Sequence, residues 1–245
     1  MGRHKWQTTK ISALSERLNM LYVLLPAYNE AEGIPLLLEE ISNELKDTPY
    51  QIILIDDGSR DGTALRIEKE GMSQLILLKH PVNLGLGRTL LTGLNHLFHA
   101  LRVEDLLVVM DADNTHPPSL IRSMMKLVEE GTDIVIASRF IKGGGERGVP
   151  GYRRILSRLA FLVFKIAFPL KGVRDYTSGF RAYSGRLLQK GFRIYGQQLI
   201  SEKGFVATLE ILLNLAPFCH KIKEIPLPLR YDRKKGGSKM NVPLN

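Results

Sequence analysis

The chain has a single cysteine, one tryptophan and no long apolar run. Cys219 alone excludes an internal disulfide and fits a reducing compartment. No stretch reaches the roughly 18 to 20 apolar residues of a membrane-spanning helix. The nearest, Leu159 to Leu170, is broken by Lys165. The first 19 residues are polar and basic without an apolar centre, which excludes a secretory signal and predicts a mobile arm over 1–19. There is no internal repeat and no low-complexity segment. Acidic residues become scarce late in the chain: residues 1–138 carry 13 Lys and Arg against 19 Asp and Glu, and residues 139–245 carry 21 against 6.

The net charge of +9 therefore hides an acidic first half and a strongly basic second half. Such asymmetry calls for an anionic partner on the second half. Nucleic acid, an anionic membrane surface and a phosphorylated substrate all qualify, and a solvated basic face is the plain alternative. Preceded by Arg153, Arg154 and Arg158, the stretch 159–170 reads either as an amphipathic helix lying in a membrane interface or as a core helix. A length of 245 residues with 44% hydrophobic content suits one large domain or two small ones.

Apolar periodicity predicts strands over Leu21–Leu25, Gln51–Ile55, Leu75–Leu78, Leu106–Met110 and Ile134–Ala137. Helices are predicted between them, over Ile34–Leu45, Asp61–Met72, Arg88–Leu101 and Pro117–Glu130. Pro35 stands near a helix start, where proline is tolerated. This alternation predicts an α/β fold, a mostly parallel sheet with helices on both faces. Later come the flexible loop Gly143-Gly144-Gly145, a basic helix, a strand over Thr177–Tyr183 and a helix over Phe205–Ala216. A strand over Ile222–Leu229 is interrupted by Pro226 and Pro228 and so belongs at a sheet edge. The basic run from Arg233 to Lys239 reads as a mobile loop.

Four segments stand at strand ends. In Asp111-Ala112-Asp113, two carboxylates two residues apart in extended backbone point the same way. Such a pair can hold one divalent cation between hard oxygen ligands, and a cation suggests a phosphate-bearing substrate. In Pro26-Ala27-Tyr28-Asn29-Glu30, Tyr28 can stack on a base and Glu30 can accept hydrogen bonds from one. In Asp56-Asp57-Gly58-Ser59, adjacent acids point to opposite faces, so one of them reaches a ligand. Asn83-Leu84-Gly85-Leu86-Gly87-Arg88 can approach phosphate through backbone N–H groups. Each segment alone is weak evidence; four at successive strand ends of one sheet are hard to dismiss.

The ordered string Pro26–Glu30, Asp56–Ser59, Asp111–Asp113 and Ser138-Arg139-Phe140 resembles the family-2 inverting glycosyltransferases of the GT-A fold, a Rossmann-like sheet. With His116-Pro117-Pro118, Gly143–Gly145, Thr177–Arg181 and Ser238-Lys239-Met240, it is similar to the polyprenyl-phosphate sugar synthase branch, that of dolichol-phosphate mannose synthase, over about residues 20–240. The resemblance implies one GT-A domain over 20–245, with a nucleotide-sugar half (20–138) and a basic acceptor-side extension (139–245). It implies that Pro26, Tyr28, Glu30 and Asp57 hold the nucleoside, and that Asp111, Ala112 and Asp113 meet the nucleotide sugar. Asp111 and Asp113 would bind Mg2+ or Mn2+, with Thr115 where some relatives carry a further ligand. Arg139 and Arg153, with Asp113, form the implied catalytic set. Arg139, Arg153, Arg230, Arg233 and Lys239 would receive the acceptor phosphate. Gly237 departs from the acid that many relatives carry before Ser-Lys.

The expected partners are a GDP- or UDP-linked sugar, a polyprenyl phosphate and a membrane surface, with a membrane-anchoring segment or subunit outside this chain, and not nucleic acid. The expected place is peripheral, on the cytoplasmic face of a membrane. A hydroxyl acceptor needs a general base, whereas a phosphate with a second pKa of about 6 arrives ionised and needs positive charge instead. The Gln-x-x-Arg-Trp motif of hydroxyl-using relatives is missing here. A transferase acting on a hydroxyl is the alternative. A purely anion-binding module fits worse, since it gains nothing from Asp111 and Asp113.

Overall fold

A computed structural model of the protein describes residues 20–149 and 151–234, apart from the side chains of residues 152–158 and 160. The arm expected over 1–19 and the end of the basic loop, with Gly237 and Lys239, lie outside the described residues.

The first five strands are β1 (Leu21–Ala27), β2 (Tyr50–Asp56), β3 (Leu75–Lys79), β4 (Leu106–Val109) and β5 (Ile134–Ser138). Between them run α1 (Ile34–Leu45), α2 (Thr63–Glu70), α3 (Leu86–Phe98) and α4 (Leu120–Glu129). After β5 come β6 (Gly145–Arg147), α5 (Gly151–Ala167), β7 (Arg181–Ser184), α6 (Gly185–Tyr195), α7 (Val206–Leu215), β8 (Ile222–Pro226) and β9 (Pro228–Arg230). The main sheet has seven strands in the order β3-β2-β1-β4-β7-β5-β8, and β6 and β9 form a small second sheet. All ladders of the main sheet are parallel except those of β7.

Strand residues alternate between two cores, as period two requires. Leu24, Ile53, Ile55 and Leu107 pack with α3, α6 and α7. Leu21, Val23, Leu25, Ile52 and Leu54 pack with α1 and α4 on the other face. Helix α3 lies so close to the sheet that a Cβ on Gly93 would enter the side chains of Leu24 and Ile55. Each fully buried aliphatic side chain contributes roughly 1.5–3 kcal/mol, so this double layer fixes the strand ends from which the site is built.

Three expectations change in detail. The strand expected over 177–183 is shorter, starts at Arg181 and inserts antiparallel between β4 and β5. Its expected first residues are held in a turn instead, with the Thr177 and Ser178 amides donating to Asp175 Oδ1. The segment Ile222–Leu229 splits in two, since neither Pro226 nor Pro228 has an N–H for a ladder. Leu227 between them donates to Ser138 O at 2.9 Å and accepts from Gly145 N at 2.9 Å, which links the sheets. Strand β8 is an outer strand, as the prolines predict. Helix α6 was not expected; Ser184 caps it by accepting from Leu187 N.

The parallel strands place the ends of β1, β2, β4, β5 and β8 at one sheet edge. Antiparallel β7 brings its start, and the segment 175–180 before it, to that edge as well.

Candidate active site

The first two strand ends form a stitched pair of loops. Asn29, in the left-handed region at φ 55°, donates its amide to Ser59 Oγ at 2.8 Å and accepts from Arg60 N through its side chain. The Glu30 amide donates to Thr63 Oγ1, and the Ala31 amide to Asp61 Oδ2. Burial works against the charge on Asp61, but the Thr63 hydroxyl and the Ala31 and Thr63 amides hold its carboxyl below the ordinary range. Glu30 is buried, while Pro26 and Tyr28 are half-buried.

Asp57 is fastened. Its Oδ1 accepts from Leu84 N at 2.9 Å and faces His80 Nδ1 at 2.7 Å, and its Oδ2 accepts from Gly85 N at 2.9 Å. His80 meets Thr92 Oγ1 through its other nitrogen. Asp57 thus shapes the loop Asn83–Gly87 rather than presenting an open carboxylate. That loop is pinned from the other side, where Gly87 N donates to Lys203 O at 2.9 Å.

Strand β4 ends at Val109, one residue before the expected end. The carboxylate pair therefore lies in the following turn and is aimed by that turn rather than by strand alternation. Asn114 takes the left-handed conformation at φ 63° and ties the turn to Gly33 O through its side-chain amide. Asp113 Oδ1 accepts from Thr115 N at 3.1 Å and Thr115 Oγ1 at 2.6 Å, and its Oδ2 accepts from Lys234 Nζ at 2.6 Å. The Asp111 side chain is 41% exposed, against 13% for Asp113. The Asp111 amide donates to His116 Nδ1 at 3.1 Å, which puts the ring proton of a neutral His116 on Nε2, 3.8 Å from Asp111 Oδ2. The His116 ring stacks on Phe180, and a Cβ on Gly179 would touch Asp111 Oδ1 at 3.4 Å.

Burial pushes the Asp113 carboxyl up, but the Lys234 ammonium outweighs it and holds the carboxyl below its ordinary range. The same burial disfavours the charge on Lys234. Asp113, with Glu30 beyond it, overcomes that and raises the lysine above its ordinary range. Among the described residues no three His, Cys, Asp or Glu side chains group to hold a cation. Two carboxylates suit Mg2+ or Mn2+, because such a cation commonly takes one or two carboxylates and completes its shell with substrate phosphates. The residues present fit on that donor chemistry.

The basic half supplies the opposite wall. The Arg139 guanidinium forks onto Asp175 at 2.8 Å on both oxygens, and reaches Thr177 Oγ1 and Glu146 Oε1. It lies over the Phe140 ring. The segment after β8 crosses the carboxylate turn. Arg230 N donates to Thr115 O at 3.0 Å, the Arg230 fork holds Asp232, and Arg233 pairs with Glu40. A cleft of about 440 Å³ opens beside it, between Gly143–Arg147 and Pro228–Arg230, with Pro117 and Arg233 on its wall. Arg153 lies on α5, but its side chain, like all of Lys239, lies outside what is described.

The model of glycosyl transferase family 2 matches residues 22–192. The chain belongs to that family. A dolichol-phosphate mannosyltransferase of Pyrococcus furiosus is 33% identical over 226 residues, covering 89% of this chain and 58% of that protein. A polyprenol monophosphomannose synthase of Mycolicibacterium smegmatis is 28% identical over 222 residues, covering 89% of this chain and 80% of that protein. The chain thus spans somewhat more than half of the Pyrococcus protein. Among solved structures, glucosyl-3-phosphoglycerate synthase of Mycobacterium tuberculosis with Mn2+, UDP and glucosyl-3-phosphoglycerate superposes with a TM-score of 0.66 at 22% identity. It covers 97% of this chain and 79% of that one. The same enzyme with phosphoglyceric acid gives 0.67 at 23% identity. The fold is the GT-A fold of glycosyltransferases.

Three residues of this family-2 transferase site were not singled out from sequence: Lys234, His116 as a support for Asp111, and Asp175 as the partner of Arg139. Lys234 stands in a run of like charges, Arg233-Lys234-Lys235, where nothing marks which one turns inward. His116 follows the carboxylate pair closely enough to be suspected. Asp175 is 36 residues from Arg139 and carries no local signal.

Proposed function

We propose that the enzyme transfers a hexose, mannose or glucose, from a GDP- or UDP-linked sugar to a polyprenyl phosphate at the cytoplasmic face of a membrane, inverting the anomeric carbon. The observation that carries this reading is the meeting of two charged poles in one cleft. Asp111 and Asp113 stand on one side; Lys234 reaches Asp113 from the other, and the positive charges of Lys234 and Arg139 also act on Asp111. The names of the two curated relatives supply the acceptor class.

Asp111 and Asp113 would hold Mg2+ or Mn2+, which when bound neutralises charge developing on the leaving diphosphate. Thr115 keeps Asp113 in place through its amide and hydroxyl. Pro26, Tyr28 and Glu30 line the nucleoside end, and Asp57 serves it by fixing the loop Asn83–Gly87. The acceptor phosphate is assigned to Arg139, Arg230 and Arg233, together with Arg153 and Lys239 as the family resemblance implies, guanidinium forks being suited to phosphate. An ionised phosphate oxygen attacks without a protein base. Arg139 orders this wall through Asp175 and Glu146.

Helix α5 carries the membrane contact. Phe161 and Phe164 pack inward, while Leu159, Leu162, Val163 and Ile166 are 53–74% exposed along one outer face. Among the described residues no helix is long and apolar enough to cross a membrane, so contact through this face is peripheral. The test is a panel of nucleotide sugars offered with a polyprenyl phosphate, with and without a chelator. One GDP- or UDP-sugar should give a glycosyl phospholipid that mild acid cleaves, and chelator should stop it. Transfer that survives chelator, or an acid-stable product, would overturn the reading.

A further inference from the structure

Lys234 takes up the oxygen that a cation would need. Both Asp113 oxygens are engaged, Oδ1 by Thr115 and Oδ2 by the Lys234 ammonium at 2.6 Å. The contact is not that of a loose surface lysine, since both side chains are only 13% exposed. Lys234 follows a 3-10 turn, Tyr231–Arg233, and its amide donates back to Tyr231 O. The ammonium lies over the Tyr231 ring, with Glu30 near enough to add to its charge stabilisation. The turn is fastened at both ends, by Arg230 N on Thr115 O and by Arg233 on Glu40. Of the pair, Asp111 is the more exposed, with only His116 Nε2 at 3.8 Å beside its Oδ2.

The geometry points to Lys234 as a resident counter-cation of Asp113, which a divalent ion must displace to enter the site. The inference rests on the reading that Asp111 and Asp113 hold that ion. A free ion reaches Asp111 directly but gains Asp113 only by breaking a half-buried charge-assisted hydrogen bond. A nucleoside diphosphate changes the balance twice. Its oxygens add ligands to the ion, and they offer the displaced ammonium a new anion. Ion and nucleotide therefore bind cooperatively, each raising the other's affinity by the same factor. Lys234 passes from carboxylate to diphosphate as they bind, which makes the strap Arg230–Lys234 sense a loaded donor site.

The test is Mn2+ binding to the whole chain, read from the electron paramagnetic resonance signal of the free ion, with and without UDP or GDP. The wild-type protein should bind Mn2+ weakly alone and at least about tenfold more tightly with nucleotide, a typical coupling size. Lys234→Met should tighten binding of Mn2+ alone about tenfold, since a hydrogen bond to a charged group is no longer broken, and should shrink the gain from nucleotide. Lys234→Arg keeps the charge and should leave Mn2+ alone bound as weakly as in wild type. Lys234→Met binding Mn2+ no more tightly than wild type overturns the inference, as does an equal gain in Lys234→Arg. Asp113→Asn separates the two levels. If it loses Mn2+ while Lys234→Met changes nothing, only the role of Lys234 fails. If it binds Mn2+ like wild type, the ion-site reading fails with it.

Discussion

Asp175→Asn tests how the basic wall is held together. Asp175 is fully buried and accepts six hydrogen bonds: the Arg139 fork on both oxygens, the Arg139 amide, the amides of Thr177 and Ser178, and the Thr177 hydroxyl. Burial pushes its carboxyl up, but Arg139 more than offsets this and holds it below the ordinary range. Asparagine keeps the shape, removes the charge and turns an N–H2 toward groups that only donate. Removing one partner of a buried pair costs about 3–5 kcal/mol. Arg139 keeps Glu146 and Thr177, so the lower end, about 3 kcal/mol, applies. At roughly 2–4 °C per kcal/mol for a chain of this size, the melting temperature falls by about 6–12 °C. The loss has a pH signature. A carboxyl whose folded pKa lies below its unfolded value of about 3.9 contributes fully above that value and loses its contribution as pH falls through the folded one. Denaturant unfolding of both proteins from pH 7 to pH 3 should show a constant gap down to about pH 4 that narrows below it. A gap that persists unchanged at pH 3, or no gap at pH 7, would refute the ion pair as the stabilising element.

Other outcomes follow from the same geometry. Asp111→Asn and Asp113→Asn should each lower kcat/KM at least about 100-fold, the scale for losing a key electrostatic group; Asp111→Asn should melt close to wild type, whereas Asp113→Asn should melt lower because it leaves the Lys234 ammonium without its partner, and steady-state kinetics with a thermal melt check both. His116→Phe keeps the stack on Phe180 but leaves the Asp111 amide without its acceptor; unfolding free energy should fall by about 1–3 kcal/mol, and an unchanged value would remove His116 as the support of the turn. Leu162→Asp with Ile166→Asp alters two residues that are 53% and 74% exposed. Stability should stay within about 0.5 kcal/mol per site, while sedimentation with anionic vesicles should drop sharply; retained sedimentation would exclude this face.

The sequence makes the scaffold readable where burial repeats. Helix α1 lies over Ile34–Leu45 as its apolar spacing predicts, and the strands that carry the nucleotide half fall within a residue or two of their apolar runs. The carboxylate pair is equally visible, because two acids closing an apolar strand break its pattern. What stayed hidden depends on distant partners. Strand β7 is short because Asp175 captures the residues before it, and its antiparallel place comes from pairing with β4 and β5. Helix α6 mixes Leu187, Leu188 and Phe192 with Arg186, Lys190 and Arg193, so its apolar face is thin in sequence. Asp57 shows as an acid beside a glycine; that His80, Leu84 and Gly85 use both its oxygens emerges only on folding.

The most direct measurement of the central claim compares undecaprenyl phosphate with undecaprenol as acceptors, at equal concentration, with the preferred nucleotide sugar and Mn2+. A cleft that sets cations against Asp111 and Asp113 should transfer sugar to the phosphate and not to the alcohol. Transfer to undecaprenol at a comparable rate would contradict the account.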